Sequence, residues 1–121
     1  MPVIDFPKRE FKSDRKAIFV TGPLTSSGTI ADNLDVAMQE TWWLVCHGFA
    51  PYCPHLYYFV DSGLLLPHAD WMEVTLAILK RCDGMRVLPG LSRGAEEEEA
   101  FAHENNIPIF WTRHELQLQH W

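Results

Sequence analysis

The sequence predicts an α/β protein with a Rossmann-like (flavodoxin-like), doubly wound parallel sheet of four to five strands. Short apolar runs of strand length alternate with longer segments whose apolar residues recur at helical spacing. This alternation is typical of a parallel sheet that helices cover on both faces. The apolar runs also end in turn-forming residues, such as Thr21-Gly22-Pro23 and Pro89-Gly90. In such folds ligands bind at the carboxyl ends of the strands.

Four strands and three main helices are expected along the chain. The strands fall at 17–20, 49–54, 84–89 and 107–111, and prolines make the second one short and edge-like. The first helix starts at a cap formed by Asp32 or Asn33 and ends at Gly48, the second spans 71–82, and the third ends near Asn106. A long loop is expected at 55–68, and a short tail or helix after the last strand.

Length and composition indicate one domain, which we place at residues 16–121 after a polar N-terminal arm at 1–15. A chain of 121 residues with 47% hydrophobic and 21% charged residues is typical of a soluble globular protein. The net charge of -6 and the lack of a basic cluster argue against binding to a nucleic-acid duplex. No signal peptide or apolar run of membrane-spanning length is evident. With an odd number of cysteines, 3, we expect reduced thiols and a cytoplasmic location.

A run of glutamates contains the most informative residue of the chain, Glu98. On a helix, Ala95, Glu98, Phe101 and Ala102 share one apolar arc, while most acids of the run face away. A carboxylate on such a face must be hydrogen-bonded, paired or protonated. We expect Glu98 near the first turn of its helix, where backbone N–H groups and the helix dipole favour an anion. Glu98 is therefore a candidate nucleophile; the alternative is a boundary residue that reaches solvent.

Two segments at the expected strand ends carry groups that can hold an anion or a sugar. The loop at 21–29 offers hydroxyls, including that of Thr25, and backbone N–H groups. It is neither a P-loop nor a Gly-x-Gly-x-x-Gly turn. Ser92-Arg93-Gly94 opens the third helix, where Ser92 can donate to an anion and Arg93 can pair with it. The alternatives are an ordinary surface loop and a helix cap with a solvated arginine.

Four residues of metal-ligand type lie close together in the sequence. They are Cys46, His47, Cys53 and His55, but their spacing fits no standard zinc motif. Buried cysteines more often act as small apolar residues. No metal and no other cofactor is therefore predicted.

Aromatic residues suggest both a ligand cover and an interface. The aromatics at 57–59 belong to the long loop over the strand ends, where they can cover a ligand. Trp42 and Trp43 are adjacent on the first helix, so they cannot both face the same core. A symmetric homodimer that buries the outward ring is the simplest arrangement. The alternative is that the extra tryptophan packs under the N-terminal arm of its own chain.

In these features the sequence resembles the nucleoside 2-deoxyribosyltransferase superfamily. It is most similar to the short phage and bacterial members and to the 2′-deoxynucleoside 5′-phosphate N-hydrolases. The matching motifs are Ile18-Phe19-Val20-Thr21-Gly22-Pro23, Asn33 with Ala37, Gly48 with Pro51, Pro54-His55, Trp71, Cys82-Asp83, Leu88-Pro89-Gly90, Ser92-x-Gly94-x-x-x-Glu98-x-x-x-Ala102 and Asn106-Ile107-Pro108. Their order and spacing over residues 17–110 carry the resemblance.

The resemblance implies a Rossmann-like domain that usually forms dimers and acts on a small-molecule nucleoside or nucleotide. A glutamate of the family, here Glu98, attacks the anomeric carbon; the Gly-Pro turn maps to Gly22-Pro23 and the anion-binding position to Ser92. The predicted substrate-binding residues are Phe19, Gly22, Pro23, Thr25, His55, Trp71, Thr75, Ser92, Arg93 and Gly94.

Two positions depart from the family pattern. The family often has a tyrosine at the position of Phe19, and it has an aspartate that handles the proton of the base at the position of Thr75. The candidates to replace that aspartate are His55, His68, Asp70 and Glu73. The expected function is cleavage or transfer at the N-glycosidic bond of a (deoxy)nucleoside or nucleoside 5′-monophosphate. The alternative is a nucleotide-binding or sensing module without catalysis.

Overall fold

The computed structural model describes residues 14–121, which form a four-stranded, all-parallel sheet with helices on both faces. In chain order the elements are β1 (Ala17–Thr21), α1 (Ile30–Cys46), β2 (Ala50–Tyr52), a 3-10 helix (Pro54–Phe59), α2 (His68–Leu79), β3 (Gly84–Val87), α3 (Arg93–Glu104), β4 (Ile109–Phe110) and α4 (Arg113–Leu118). The strand order across the sheet is β2-β1-β3-β4. The predicted doubly wound parallel sheet is confirmed. Most of the predicted N-terminal arm, at 1–13, lies outside the described residues.

Strand β1 separates two apolar layers because successive side chains point to opposite faces of a strand. Ile18 and Val20 pack in the cluster that contains residues of α1 and α4. Phe19 belongs to the cluster that contains residues of α2 and α3. A strand buried on both faces therefore reads as a continuous apolar run, as in other parallel sheets.

The same alternation determines where a crevice opens. The helix that follows β1 covers one face of the sheet, and the helix that follows β3 covers the other. These two strands are neighbours in register, with Thr21 opposite Val87 at their carboxyl ends. Chain segments that leave adjacent strand ends in opposite directions leave a gap between them, which is where doubly wound folds bind ligands.

The start of α1 differs from the prediction. Thr29 caps the helix, and its hydroxyl oxygen accepts a hydrogen bond from the Asp32 backbone N–H at 3.1 Å. The Asn33 amide donates instead to the carbonyls of Leu24 and Ser27, at 2.9 and 2.6 Å. Asn33 thus satisfies backbone acceptors of the preceding loop and fixes that loop over the strand ends.

The segment predicted as a loop at 55–68 is more ordered than expected. It begins with the 3-10 helix Pro54–Phe59. Pro54 is suited to the first turn of this helix because its backbone angle φ is already fixed at a helical value. Helix α2 then starts at His68, three residues before the apolar pattern begins. No helix in the described part of the chain is long and apolar enough to span a membrane.

Helix α1 places a carboxylate, Glu40, inside the protein on its buried face. Glu40 Oε1 accepts a hydrogen bond from Arg86 Nε at 2.9 Å, and Oε2 accepts one from Arg113 Nε at 2.8 Å. Glu40 and Arg86 are almost fully buried, whereas Arg113 is half-exposed. Arg86 also donates to the carbonyls of Val87 and Trp111. The network joins α1, β3 and α4, and it satisfies both oxygens of the buried acid.

We predict that Glu40→Ala lowers the free energy of unfolding by about 3 to 5 kcal/mol, because it leaves Arg86 buried and uncompensated. Arg113→Ala is the matched comparison, and its cost should be only about 1 kcal/mol because that side chain is half-exposed and its charge is screened by solvent. Urea unfolding followed by tryptophan fluorescence measures both values. Equal costs for the two variants would contradict a network centred on the buried pair.

Candidate active site

A cleft of about 390 Å³ opens at the carboxyl ends of β1 and β3. Its walls come from the loop after β1, the 3-10 helix, α2 and the first turns of α3. It brings together most of the predicted site residues, namely Gly22, Thr25, His55, Trp71, Thr75, Ser92, Arg93, Gly94 and Glu98. These residues come from four separate segments, which converge where the topology leaves its gap.

Two predicted substrate-binding residues, Phe19 and Pro23, do not line the cleft. Phe19 is fully buried, and its ring packs against Tyr52 of the neighbouring strand with a centroid distance of 5.8 Å. The carbonyl of Pro23 contacts His55 Nε2 at 3.0 Å, behind the cleft wall. The structure corrects the prediction at these two positions: both residues support the wall from within the core.

Glu98 lies on the inner face of α3, as predicted. The helix is capped by Ser92, whose hydroxyl oxygen accepts from the Ala95 backbone N–H at 3.1 Å. Glu98 is 7% exposed, and its Oε1 accepts a hydrogen bond from the Thr21 hydroxyl at 3.1 Å. Its other oxygen, Oε2, is buried with no hydrogen-bond partner among residues 14–121. A buried acceptor without a donor is costly, so this oxygen marks a place where a ligand can add a hydrogen bond or a charge.

The expectation that the helix N-terminus stabilises the Glu98 anion is wrong. Glu98 lies in the second turn of α3, and Thr21 is its hydrogen-bond donor. Burial raises the pKa of Glu98 to about 8, the negative charges of Glu97 and Glu99 raise it further, and the Thr21 hydroxyl lowers it only in part. At neutral pH the ligand-free protein therefore holds Glu98 mostly as the neutral acid.

An aromatic pair forms the opposite wall of the cleft. Tyr57 stacks on Trp71 with ring centroids 5.1 Å apart and planes at 27°. The Trp71 indole N–H donates to Asp61 Oδ2 at 3.0 Å. Asp61 also accepts from the backbone N–H groups of Leu65 and Leu66, at 2.9 and 3.1 Å. These three hydrogen bonds lower the pKa of Asp61 and keep it ionised at the N–H edge of the tryptophan ring.

The role of Asp61 was not part of the predicted site, although the sequence contains a signal for it. An aspartate that precedes Ser-Gly often accepts hydrogen bonds from backbone groups a few residues later and so organises a turn. Here that turn places the carboxylate next to the indole N–H of Trp71. Tyr57, expected only as part of a ligand cover, is held by its stacking on Trp71 and by a hydrogen bond with Tyr52.

His55 is buried and both of its ring nitrogens are engaged. Nε2 lies 3.0 Å from the Pro23 carbonyl, which can only accept, so Nε2 carries the proton. Nδ1 lies 3.5 Å from Cys53 Sγ and can accept from the thiol. Burial also lowers the pKa of His55. His55 is therefore a neutral part of the wall, and it has no free proton to give to a ligand.

The other candidates for the missing aspartate lie at the rim or outside the cleft. His68 is exposed, and its Nε2 lies 3.2 Å from Glu97, which also accepts from Arg93 Nε at 3.2 Å. Asp70 and Glu73 are exposed and do not line the cleft. Arg93 is thus directed towards Glu97, while it still borders the cleft.

Thr75 and Gly94 determine the space around Glu98. Thr75 is buried in the cleft wall, and its hydroxyl donates to the Met72 carbonyl at 3.3 Å. The position at which the resemblance predicts an acid therefore carries a hydroxyl that is already engaged. At Gly94 a methyl group would lie 3.9 Å from Glu98 Oε1 and 3.8 Å from His68. Glycine thus leaves open the space next to the carboxylate.

No three His, Cys, Asp or Glu side chains within residues 14–121 are arranged to hold a metal ion. Cys53 and His55 are in contact, whereas Cys46 and His47 lie exposed at the end of α1. The cleft chemistry that the described residues offer is therefore that of a carboxylic acid, hydroxyls, backbone groups and aromatic rings.

Residues 16–112 match a protein family described as a domain of unknown function, DUF7768. The chain belongs to this family. No curated protein matches the sequence. The DUF7768 region contains the whole cleft, from the end of β1 to Glu98 on α3. The family description names no activity, so the function of this DUF7768 domain has to be inferred from the chemistry of its cleft.

We predict that Glu98→Gln stabilises the protein increasingly as the pH rises from about 5 to about 8. The folded state raises the pKa of Glu98, so it holds a proton that the unfolded chain has lost, and stability falls with rising pH in this window. A tenfold change in a protonation equilibrium is worth about 1.4 kcal/mol, so the difference between variant and wild type should grow by roughly 4 kcal/mol. Urea unfolding at the two pH values measures it, and a parallel loss of stability in both proteins would contradict the buried neutral acid.

Proposed function

We propose that the protein cleaves the N-glycosidic bond of a nucleoside or nucleoside 5′-monophosphate, by hydrolysis or by transfer to another acceptor, with Glu98 as the nucleophile. One observation carries the proposal: a nearly buried carboxyl group, one oxygen of which has no partner among residues 14–121, borders an open cleft at the strand ends. Such a carboxyl group is costly for the fold and is typical of a functional site. The resemblance to the nucleoside 2-deoxyribosyltransferase superfamily supports the same reaction.

The reaction follows the two-step logic of retaining glycosidases. The ionised Glu98 attacks the anomeric carbon, the bond to the base breaks, and a glycosyl ester forms on Glu98. Water or a second base then attacks the same carbon and regenerates the carboxylate. The open space at Gly94 supports the proposal because a methyl group there would narrow the approach to Glu98.

The cleft offers groups for each part of such a substrate. The aromatic pair of Tyr57 and Trp71 provides a stacking surface for a base. Thr25 and the backbone after β1 offer donors and acceptors for the sugar. Ser92 and Arg93, at the start of α3, are suited to a 5′-phosphate. A volume of about 390 Å³ is within the range for small-molecule sites.

We predict that Glu98→Gln abolishes release of free base from a cleaved nucleoside, because an amide cannot form the glycosyl ester. The loss of kcat should be at least about a thousandfold, within the range found when a catalytic nucleophile is removed. Chromatography of the released base measures it. Glu96→Gln, an identical change on the exposed side of α3, is the control. Unchanged base release by Glu98→Gln, with the fold intact, would contradict this role.

A second candidate function is binding without catalysis, in which the protein senses or sequesters a nucleotide. Two observations favour it: Thr75 replaces the acid expected from the resemblance, and Glu98 is neutral in the ligand-free protein. The two functions are separated by incubation with a panel of nucleosides and monophosphates. Ligand-induced stabilisation without release of base from any of them supports binding alone.

We further propose that the protein is a cytoplasmic homodimer. Trp42 is 70% exposed on α1, whereas Trp43 stacks on His47 and carries the Arg113 guanidinium over its ring. A large exposed ring next to an ordered aromatic cluster is suited to a symmetric contact. The free thiols of Cys46, Cys53 and Cys82 are consistent with a reducing compartment.

We predict a mass of about 28 kDa by light scattering, twice the 14.0 kDa of one chain. Trp42→Arg should shift the mass to that of one chain, because it places a charge in the contact. Phe59→Arg, a similar change on a different exposed surface, is the control. A wild-type mass of one chain at micromolar concentration would exclude the dimer.

A further inference from the structure

We propose that the preferred substrates are nucleosides or nucleotides whose base carries a fixed positive charge on the ring bonded to the sugar, such as an N7-alkylated purine or a pyridinium base. The inference rests on the proposed glycosidic cleavage and specifies its substrate class. Three features of the cleft carry it: the hydrogen bonds that occupy Thr75 and His55, the Glu98 oxygen that has no partner among residues 14–121, and the aromatic wall with an ionised acid at the N–H edge of Trp71.

A neutral base is a poor leaving group unless a residue protonates it as the glycosidic bond breaks. Thr75 already donates to Met72, and neutral His55 uses its proton on the Pro23 carbonyl. Asp61 is ionised by its three hydrogen bonds. His68 directs its Nε2 at Glu97 at the exposed rim. The cleft also contains Glu98, which the reaction uses as its nucleophile, and the phenol groups of Tyr57 and Tyr58, which are weak acids. Among the described cleft residues, no strong acid is thus left to protonate a departing base.

A cationic base removes the need for that acid. When the carbon–nitrogen bond breaks, its electron pair returns to the positively charged ring, and the base departs as a neutral molecule. Glu98 forms the ester bond to the anomeric carbon in the same step. Water then attacks that carbon, the ester electrons return to the Glu98 carboxylate, and one proton is released to solvent. No residue has to donate a proton at any point.

The same positive charge activates the nucleophile. Glu98 is 7% exposed and its Oε2 has no partner among residues 14–121, so its ionised form lacks a compensating charge in the ligand-free protein. A cation bound a few ångströms away in a site of low dielectric strongly favours the carboxylate. Arg93 does not supply this charge because it pairs with Glu97. The substrate would therefore bring the charge that converts Glu98 into a nucleophile.

The aromatic wall is suited to a cation. Tyr57 and Trp71 stack at 5.1 Å, and tryptophan is the ring that attracts cations most strongly. The Trp71 indole N–H donates to the ionised Asp61, which increases the electron density of the ring. A flat, positively charged base gains both stacking and cation–π attraction there. A neutral base gains stacking alone.

The test compares 7-methylguanosine with guanosine, which differ by one methyl group and one charge. Nicotinamide riboside adds a cationic base of different shape and separates purine from pyridinium preference. Wild type should release base from a cationic nucleoside with a kcat/KM at least about a thousandfold above that for guanosine. Because the cationic bond is also weaker in water, the decisive comparison is between Thr75→Asp and Thr75→Asn, which have the same shape but differ in acidity.

Thr75→Asp supplies a general acid, whose contribution is about 10²-fold or more. It should therefore lower the preference for 7-methylguanosine over guanosine by about that factor relative to Thr75→Asn. Guanosine cleavage as efficient as that of both cationic nucleosides, and dependent on Glu98, would overturn this inference and leave the proposed function intact. An equal effect of Thr75→Asp on 7-methylguanosine and guanosine would also overturn it. Release of base from none of the nucleosides would instead contradict the proposed function itself.

A binding measurement tests the charge preference without catalysis. N-methylnicotinamide is a cation and nicotinamide is its neutral counterpart, and neither has a glycosidic bond. Calorimetry at about pH 7 in two buffers of different ionisation enthalpy should show tighter binding of the cation, at least about tenfold, with release of a proton. Glu98→Gln should lose both. Equal affinities, or no proton release in wild type, would overturn the inference even if the Thr75 variants do not fold.

Discussion

The hydrogen bond from the Thr21 hydroxyl to Glu98 determines the environment of the buried carboxyl group in the cleft. Thr21 ends β1 on the face that α3 covers, and its hydroxyl donates to the only oxygen of Glu98 that has a partner among the described residues. The period of two along β1 directs Phe19 and Thr21 to the same side, so the core and the cleft share one face of the sheet. Any displacement of α3 relative to β1 would therefore alter both the packing of this layer and the environment of the candidate nucleophile.

Two glutamates on inward helix faces show how the same residue type serves different ends. Glu40 has both oxygens paired with arginines, and the network closes without solvent or ligand. Glu98 has one hydroxyl donor and an open space beside it. A buried acid with hydrogen bonds to both oxygens connects elements of the fold. A buried acid with a hydrogen bond to only one oxygen can still gain a hydrogen bond or a compensating charge from a ligand. The sheet separates the two, with Glu40 on one face and Glu98 on the other.

Local pattern predicted much of this structure, and long-range pairing accounts for most of what it did not. The alternation of apolar runs and helical spacing predicted the parallel sheet, and the helical period predicted that Glu98 faces inward. Glu40 shares the buried face of α1 with Ala37 and Leu44, but its arginine partners come from β3 and α4, far along the chain, so no local pattern indicates this network. Asp61 became apparent only through the turn that it organises. Phe19 lies on the same face of β1 as Thr21 but deeper in the core, and a motif cannot say how far along a strand the cleft extends.

The hydrogen bond of Thr75 within α2 bears on the proposed choice of substrate. Its hydroxyl donates a hydrogen bond to a carbonyl within α2, so this part of the cleft wall does not need a hydrogen bond from a ligand. Glu98, in contrast, has a buried oxygen without a partner among residues 14–121, and Asp61 carries a negative charge at the N–H edge of Trp71. The carboxyl groups of Glu98 and Asp61 and the rings of Tyr57 and Trp71 thus make the cleft suited to a flat, positively charged ligand. If the proposed reaction holds, the charge of the ligand determines whether the buried acid is ionised, so binding of the substrate and activation of the nucleophile become one event.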